Sequence, residues 1–272
     1  MIPHLDTYVV SILFVIIGIT EVATGLYFDR KRRSDDWLID FISVAQLAII
    51  IKPLIILTAG WLMSQIFPHS KDSLSHIPLW LAVLIIMIPD EFSHYWYHRI
   101  AHENPKIWKL HRTHHSSNDY QVTLAFRENW LWFVCMPGLW WSASMVYFGF
   151  GEAYIISTMI IGTHNVLIHS GYPWDNFLYK KRFPKPLTWI LERLIQLPST
   201  HKAHHGLGKN ASPFGNYGQF IFLWDVIFKT AHFPHEQAPE KYGITNDTQD
   251  KWYSQLWWPI MKASNPESEH HS

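Results

Sequence analysis

Long apolar runs, separated by polar and often basic stretches, organise this chain. Tyr8 to Phe28 carries one charge, Glu21, and Phe41 to Phe67 is longer still, interrupted by Lys52 and Pro53. Trp130 to Phe150 and Ala153 to His169 carry no charge and are separated by a turn at Gly151 and Glu152, which reads as a hairpin of spans. A helix of about 20 residues crosses the ~30 Å of a bilayer's hydrocarbon. Ile77 to Pro89 is shorter, but its helix continues into polar sequence, with Asp90 marking the exit from the membrane. The pattern predicts an all-α integral membrane protein with about four to five transmembrane helices. The first run lacks a basic segment before it and a small-residue cleavage site after it, so it is expected to stay as a span.

Charge then orients the spans. Arg30, Lys31, Arg32 and Arg33 follow the first; Arg99, Lys106, Lys109, Arg112 and Arg127 follow the third; Lys180, Lys181, Arg182 and Lys185 follow the fifth. The opposite loops hold Lys71 alone. Lys and Arg are retained on the cytoplasmic side, so these loops are expected there. Mean hydropathy near zero averages apolar spans with a polar half and does not argue for a soluble protein. Residues 1–245 are expected to form one membrane-embedded domain, and 246–272 a flexible tail whose His270 and His271 receive no role. A formal charge of zero and the lack of a Gly-rich phosphate loop argue against nucleic acid as a partner and against a dinucleotide cofactor. A lone Cys135 excludes an intrachain disulfide and any Cys-based metal site.

The candidate chemistry lies in the 18 histidines. Those at His94/His98, His111/His114/His115 and His201/His204/His205 recur at i, i+3 and i+4, the spacing that puts imidazoles on one face of a helix. Neighbours in an adjacent pair differ by about 100° in direction, so each can serve one of two metals lying side by side. A single zinc site uses three or four ligands and leaves most of these histidines unexplained. Asp90 stands four residues before His94 and is a candidate outer acceptor that fixes an imidazole tautomer, as is Glu91. His169 is a further candidate ligand. Asn165 takes the position four residues before it and could reach a metal through water, while His164 would align only across a helical bulge. His102, His232 and His235 lack matching partners and read as surface or interfacial residues. Every histidine group falls at the cytoplasmic end of a span or in a cytoplasmic segment.

These boxes resemble the fatty acid hydroxylase and sterol desaturase superfamily. Tyr95 to His102, His114 to Tyr120, Thr123 to Arg127 and Asn216 to Asp225 look most like its alkylglycerol monooxygenase members. The resemblance spans about residues 85–232. It implies a cytosol-facing helical cap over helical spans, with two iron ions bound by His94, His98, His111, His114, His115, His201, His204 and His205. It also implies O2-dependent oxidation of a lipid and an external electron donor: cytochrome b5, a ferredoxin-type protein or a reduced pterin. Asn165 stands where some members carry a histidine, and the chain is shorter than animal alkylglycerol monooxygenases. Their ether-lipid specificity and pterin dependence are therefore not carried over.

Hydroxylation of an ether lipid or fatty chain leads, with sterol desaturation or C4-methyl oxidation as the close alternative. A membrane metal transporter or sensor would string polar residues across the spans, whereas these histidines gather at one side. Lys106, Lys109 and Lys202 could dock an acidic electron carrier. Trp96, Trp130, Trp132, Trp140 and Trp141 read first as interfacial or packing residues, with a substrate channel as the alternative. The amphipathic run Trp189 to Leu197 is expected along the membrane surface.

Overall fold

The computed structural model describes residues 5–26, 33–235, 237–247 and 250–262, and the fold is predominantly helical. Arg30, Lys31, Arg32, His270 and His271 lie outside the described residues. Among those described, two helices are long and apolar enough to cross a membrane, α1 (Leu5–Ala23) and the continuous segment Asp36–Ile66. The latter joins α2 (Asp36–Ala45), a π-helical turn (Gln46–Ile51) and α3 (Lys52–Ile66). Pro53 has no N–H for the carbonyl one turn back, and its ring crowds that carbonyl, so the helix widens just before it. Both helices are inside-out by the standards of a water-soluble protein. Ile12, Ile16, Ile19, Phe41, Leu54, Leu57 and Trp61 face outward, whereas Asp6, Glu21, Asp36 and Asp40 are buried. An apolar exterior around buried polar groups suits hydrocarbon surroundings.

α4 (Leu79–Glu103) runs unbroken through Pro89 and leads by a one-residue link into α5 (Pro105–His115). Asn104 stops one helix and starts the other: its Oδ1 accepts the Lys106 and Ile107 amides, and Pro105 follows at the first helical position. The apolar run 130–150 is not the single span its composition predicts. It divides into α6 (Trp130–Cys135) and α7 (Pro137–Tyr147), because Pro137 drives Met136 into extended backbone. α7 packs closely on α4 at Gly138, where a Cβ would stand 1.8 Å from Asp90 Oδ1. Gly149, at φ +105°, turns the chain into α8 (Gly151–Ile168), so the turn comes before Gly151 and Glu152, its expected place, and those two residues open the helix. α4 packs on α5, α7 and α8, α1 runs along α8, and α3 runs along α7.

α9 (Lys185–Leu194), α10 (Pro198–His205) and α11 (Leu223–Ile227) lie with α5 at one end of these helices. α9 turns Leu187, Trp189, Ile190 and Leu194 outward. Two-residue strands β1 (Gly206–Leu207) and β2 (Lys241–Tyr242) pair antiparallel. Arg127 is fully buried and ties this end together, donating to Asp36, Asp40, Ser116 and the Thr113 carbonyl. The segment after Asn246, expected to be a flexible tail, packs in its described part. α12 (Trp252–Trp257) buries Gln255 and Leu256, and Arg112 bonds Asp247 and Asp250. Burying those side chains and pairing those charges outweighs the segment's polar composition.

Candidate metal centre

Helices α4, α5, α8 and α10 aim nine histidines at two neighbouring points. His98, His102, His111, His115 and His204 form one group and His114, His169, His201 and His205 the other, with ligand atoms in each group within 4.8 Å of one another. The adjacent pairs divide as helical geometry predicts. His115 and His204 join the first group, and His114 and His205 the second. The groups touch where His115 stacks on His205, with ring centroids 4.3 Å apart.

Backbone carbonyls decide which ring nitrogen points inward. His98 Nδ1 lies 2.8 Å from the Tyr217 oxygen, His204 Nδ1 2.8 Å from that of Gly215, and His169 Nδ1 2.8 Å from that of Asn165. A carbonyl only accepts, so each Nδ1 carries the hydrogen and each Nε2 the lone pair. Glu128 Oε1 lies 3.1 Å from His111 Nδ1 and 3.4 Å from His114 Nδ1, close to both rings but without the alignment of a hydrogen bond. The inward nitrogens then crowd. His169 Nε2 lies 2.9 Å from His201 Nε2 and 3.2 Å from His114 Nε2, and His111 Nε2 lies 3.2 Å from His115 Nε2.

At such distances two ring nitrogens share either one hydrogen, as His201 does where the Gln196 amide faces its Nδ1 and leaves the hydrogen on Nε2, or one cation that replaces it. Two nitrogens bound at right angles to one ion, each at about 2.1 Å, would stand about 3 Å apart, which matches these contacts. Burial, reinforced by the neighbouring imidazoles, holds His111, His114, His115, His201, His204 and His205 well below the ordinary histidine range, so at neutral pH the rings are uncharged. Burial also pushes the Glu128 carboxyl well above the usual carboxylate range. A cation among the imidazoles would compensate it. The donor set, the close nitrogen–nitrogen contacts and the partnerless Nε2 atoms of His98, His102 and His204 all fit bound metal ions.

The grouping differs in part from the pattern read along the chain. His102, expected at the surface, sits in the five-membered group. His94, a turn below His98, belongs to neither group, although its ring stands 5.5 Å from that of His98. His164 turns away, its Nε2 lying 2.8 Å from the Gln196 carbonyl oxygen, because α8 stays regular and has no bulge to realign it. Asn165 acts through its carbonyl on His169, while its side chain donates to the Ala125 oxygen. Asp90 accepts from Ser142 and not from a histidine. Glu91 accepts the Phe220 and Ile221 amides and so fixes the loop that carries Tyr217. Lys202 is buried and donates to the Gly171 oxygen, which removes it from any docking surface.

Two residues escaped the sequence reading. His102 continues the i+4 stripe of His94 and His98, a signal that was present, whereas Glu128 has no spacing signal at all. Of the five tryptophans considered for a channel, Trp132 alone lines the cavity, stacked on His111 at 4.2 Å.

That cavity, of about 260 Å³, begins at His98, His111, His114, His169 and His201. It runs between the helices past Phe14, Leu47, Phe126, Phe133 and Leu139 and reaches Asp6, Lys52 and Thr158. Its walls are mainly apolar.

The sequence pattern of the fatty acid hydroxylase family matches residues 83–230, more than half of the chain. The alkylglycerol monooxygenase of Xenopus tropicalis is 30% identical over 172 residues, covering 61% of this chain and 33% of that protein. That of Homo sapiens is 30% identical over 161 residues, covering 57% and 31%. The ornithine lipid hydroxylase OlsE of Rhizobium tropici is 24% identical over 216 residues, covering 73% and 56%. The chain thus spans about a third of the length of these alkylglycerol monooxygenases. No solved structure matches it.

Proposed function

Since the chain belongs to the fatty acid hydroxylase family, we propose that it is a membrane oxygenase that uses two iron ions and O2 to hydroxylate a C–H bond of a lipid. The observation that carries this reading is the division of nine neutral imidazoles between two points at the head of an apolar cavity. His98, His102, His111, His115 and His204 would hold one ion, and His114, His169, His201 and His205 the other. Bound ferrous ions with open positions supply reduction of O2 and removal of hydrogen from an unactivated C–H bond, which no side chain provides.

The chain's own residues prepare that chemistry. Carbonyls of Asn165, Gly215 and Tyr217 keep the proton on Nδ1, and the Glu128 carboxyl stands beside both His111 and His114. Phe126, Phe133 and Leu139 exclude water and hold a hydrocarbon chain against the histidines. The relatives named alkylglycerol monooxygenase and ornithine lipid hydroxylase support a lipid substrate.

In this reading the chain crosses the membrane four to five times, and its basic loops put the histidine layer at the cytoplasmic face. Electrons come from an external donor such as cytochrome b5, a ferredoxin or a reduced pterin, docking near Lys106 and Lys109.

Elemental analysis of detergent-purified protein from iron-supplied cells tests the proposal, with a His114→Ala/His204→Ala variant that removes one ligand from each group. About two irons per chain, lost in the variant, together with an O2-dependent hydroxylated lipid would support it. A product lacking two hydrogens and gaining no oxygen would assign desaturation instead. A single zinc, or no metal in either protein, would overturn the di-iron reading.

A further inference from the structure

The cavity ends, opposite the histidines, on an ion pair. Lys52 Nζ stands 2.5 Å from Asp6 Oδ2, and Thr158 Oγ1 donates to the same oxygen at 3.1 Å. Asp6 is buried, at 4% exposure, and the Lys52 ammonium lies 5.9 Å from the Tyr154 ring centre. These residues belong to α1, α3 and α8, and all of them line the cavity. Charged groups within apolar helices are costly and persist where they serve a purpose.

α1 packs along α8, so Lys52 reaching to Asp6 joins α1 to α3 beneath the cavity. Higher up, Ser11 and Ala48 line the cavity and are exposed on its outer side, which opens it sideways between α1 and the π-helical turn.

Resting on the reading that this cavity holds a lipid, we propose that the Asp6–Lys52–Thr158 floor determines specificity by limiting the length of hydrocarbon that extends away from the metal centre. A chain end that grows past the floor must separate two charges in surroundings of low dielectric. Burial of one or two further methylenes does not offset that cost. The helix gives the scale. Between Thr158 and His169, α8 rises about 16 Å at about 1.5 Å per residue. An extended hydrocarbon advances about 1.25 Å per carbon, from tetrahedral C–C bonds of about 1.5 Å. About a dozen carbons therefore fit between the oxidised position and the floor. Asp90, held by Ser142, and Glu128 at the histidine end are the other carboxylates in the cavity wall.

The test is the length distribution of lipids that co-purify with the full chain from the same membranes, read by mass spectrometry beside the products of the iron-loaded protein. Asp6→Ala/Lys52→Ala, which removes both charges together, should shift retained chains upward by at least about two carbons. Thr158→Phe, which raises the floor, should shift them downward by a similar amount. Unchanged distributions in both variants, with lipid still bound, would overturn the proposal. Loss of all bound lipid from the double variant at unchanged metal content would also overturn it, in favour of the pair gripping a polar headgroup. If retained lengths shift but no O2-dependent product forms from any of the proteins, the floor stands as the length limit and the oxygenase reading falls.

Discussion

The two histidine groups share the boxes of α5 and α10 but are not equivalent. The first has five imidazoles, from α4, α5 and α10, and only His98 and His111 among them line the cavity. The second has four, from α5, α8 and α10, and three of these, His114, His169 and His201, line it. An ion in the second group would therefore keep more open positions, and keep them facing the cavity. The difference lies in Asn165. Where a further ring could have projected from α8, the chain has a side chain bonded to the Ala125 oxygen and a carbonyl that orients His169. In the proposed reaction, one fewer ring at the cavity would leave room for O2 and a C–H bond.

The sharpest way to break this comparison is to remove a ring from the smaller group. His169→Ala leaves three nitrogens there, and iron content should fall from about two to about one per chain. Lipid oxidation should fall by more than the roughly 10–100-fold typical of losing an outer partner. Glu128→Gln comes next. It disturbs His111 and His114 together, one in each group, so metal affinity should drop about 10–100-fold at both sites. A titration showing one site weakened and the other untouched would contradict the shared role of this carboxylate.

His102→Ala should do less. The larger group keeps four rings, both metals should remain, and the change should appear as faster loss of one iron to a chelator. Smallest is the pair His94→Ala and His164→Ala, which lie outside both groups. Metal content should not change in either, while His164→Ala should lower stability by about 1 kcal/mol through the lost bond to the Gln196 carbonyl. Loss of a metal from the His94 variant would return that residue to the ligand set.

The family of the site was legible along the chain because its spacing is a local property. Two histidines three or four apart on a helix share a face whatever surrounds them, and an adjacent pair must point in two directions. His111, His114, His115, His201, His204 and His205 could be read in this way before any fold was known. His94, His98 and His102 could not be told apart, since all three lie on one stripe of α4 at i+4 steps. Only the packing of α5 and α10 against the far end of that stripe brings His102 in and leaves His94 below. Glu128 was illegible because it sits far in sequence from the rings it serves, just before α6. The break at Met136 was written in Pro137, but composition masked it, since an apolar run reads the same with or without an interruption.

By itself, then, the sequence determined the helical segments, the apolar faces of α1 and of the helix from Asp36 to Ile66, and the splitting of each histidine pair between two points. All of these follow from helix geometry and side-chain polarity over a few residues. The tertiary structure alone decided that His102 and not His94 completes a group, that Asn165 serves His169 through its carbonyl, and that Asp6 meets Lys52 at the end of the cavity. Each of those outcomes depends on which faces of distant helices are pressed together, and no local spacing encodes that choice.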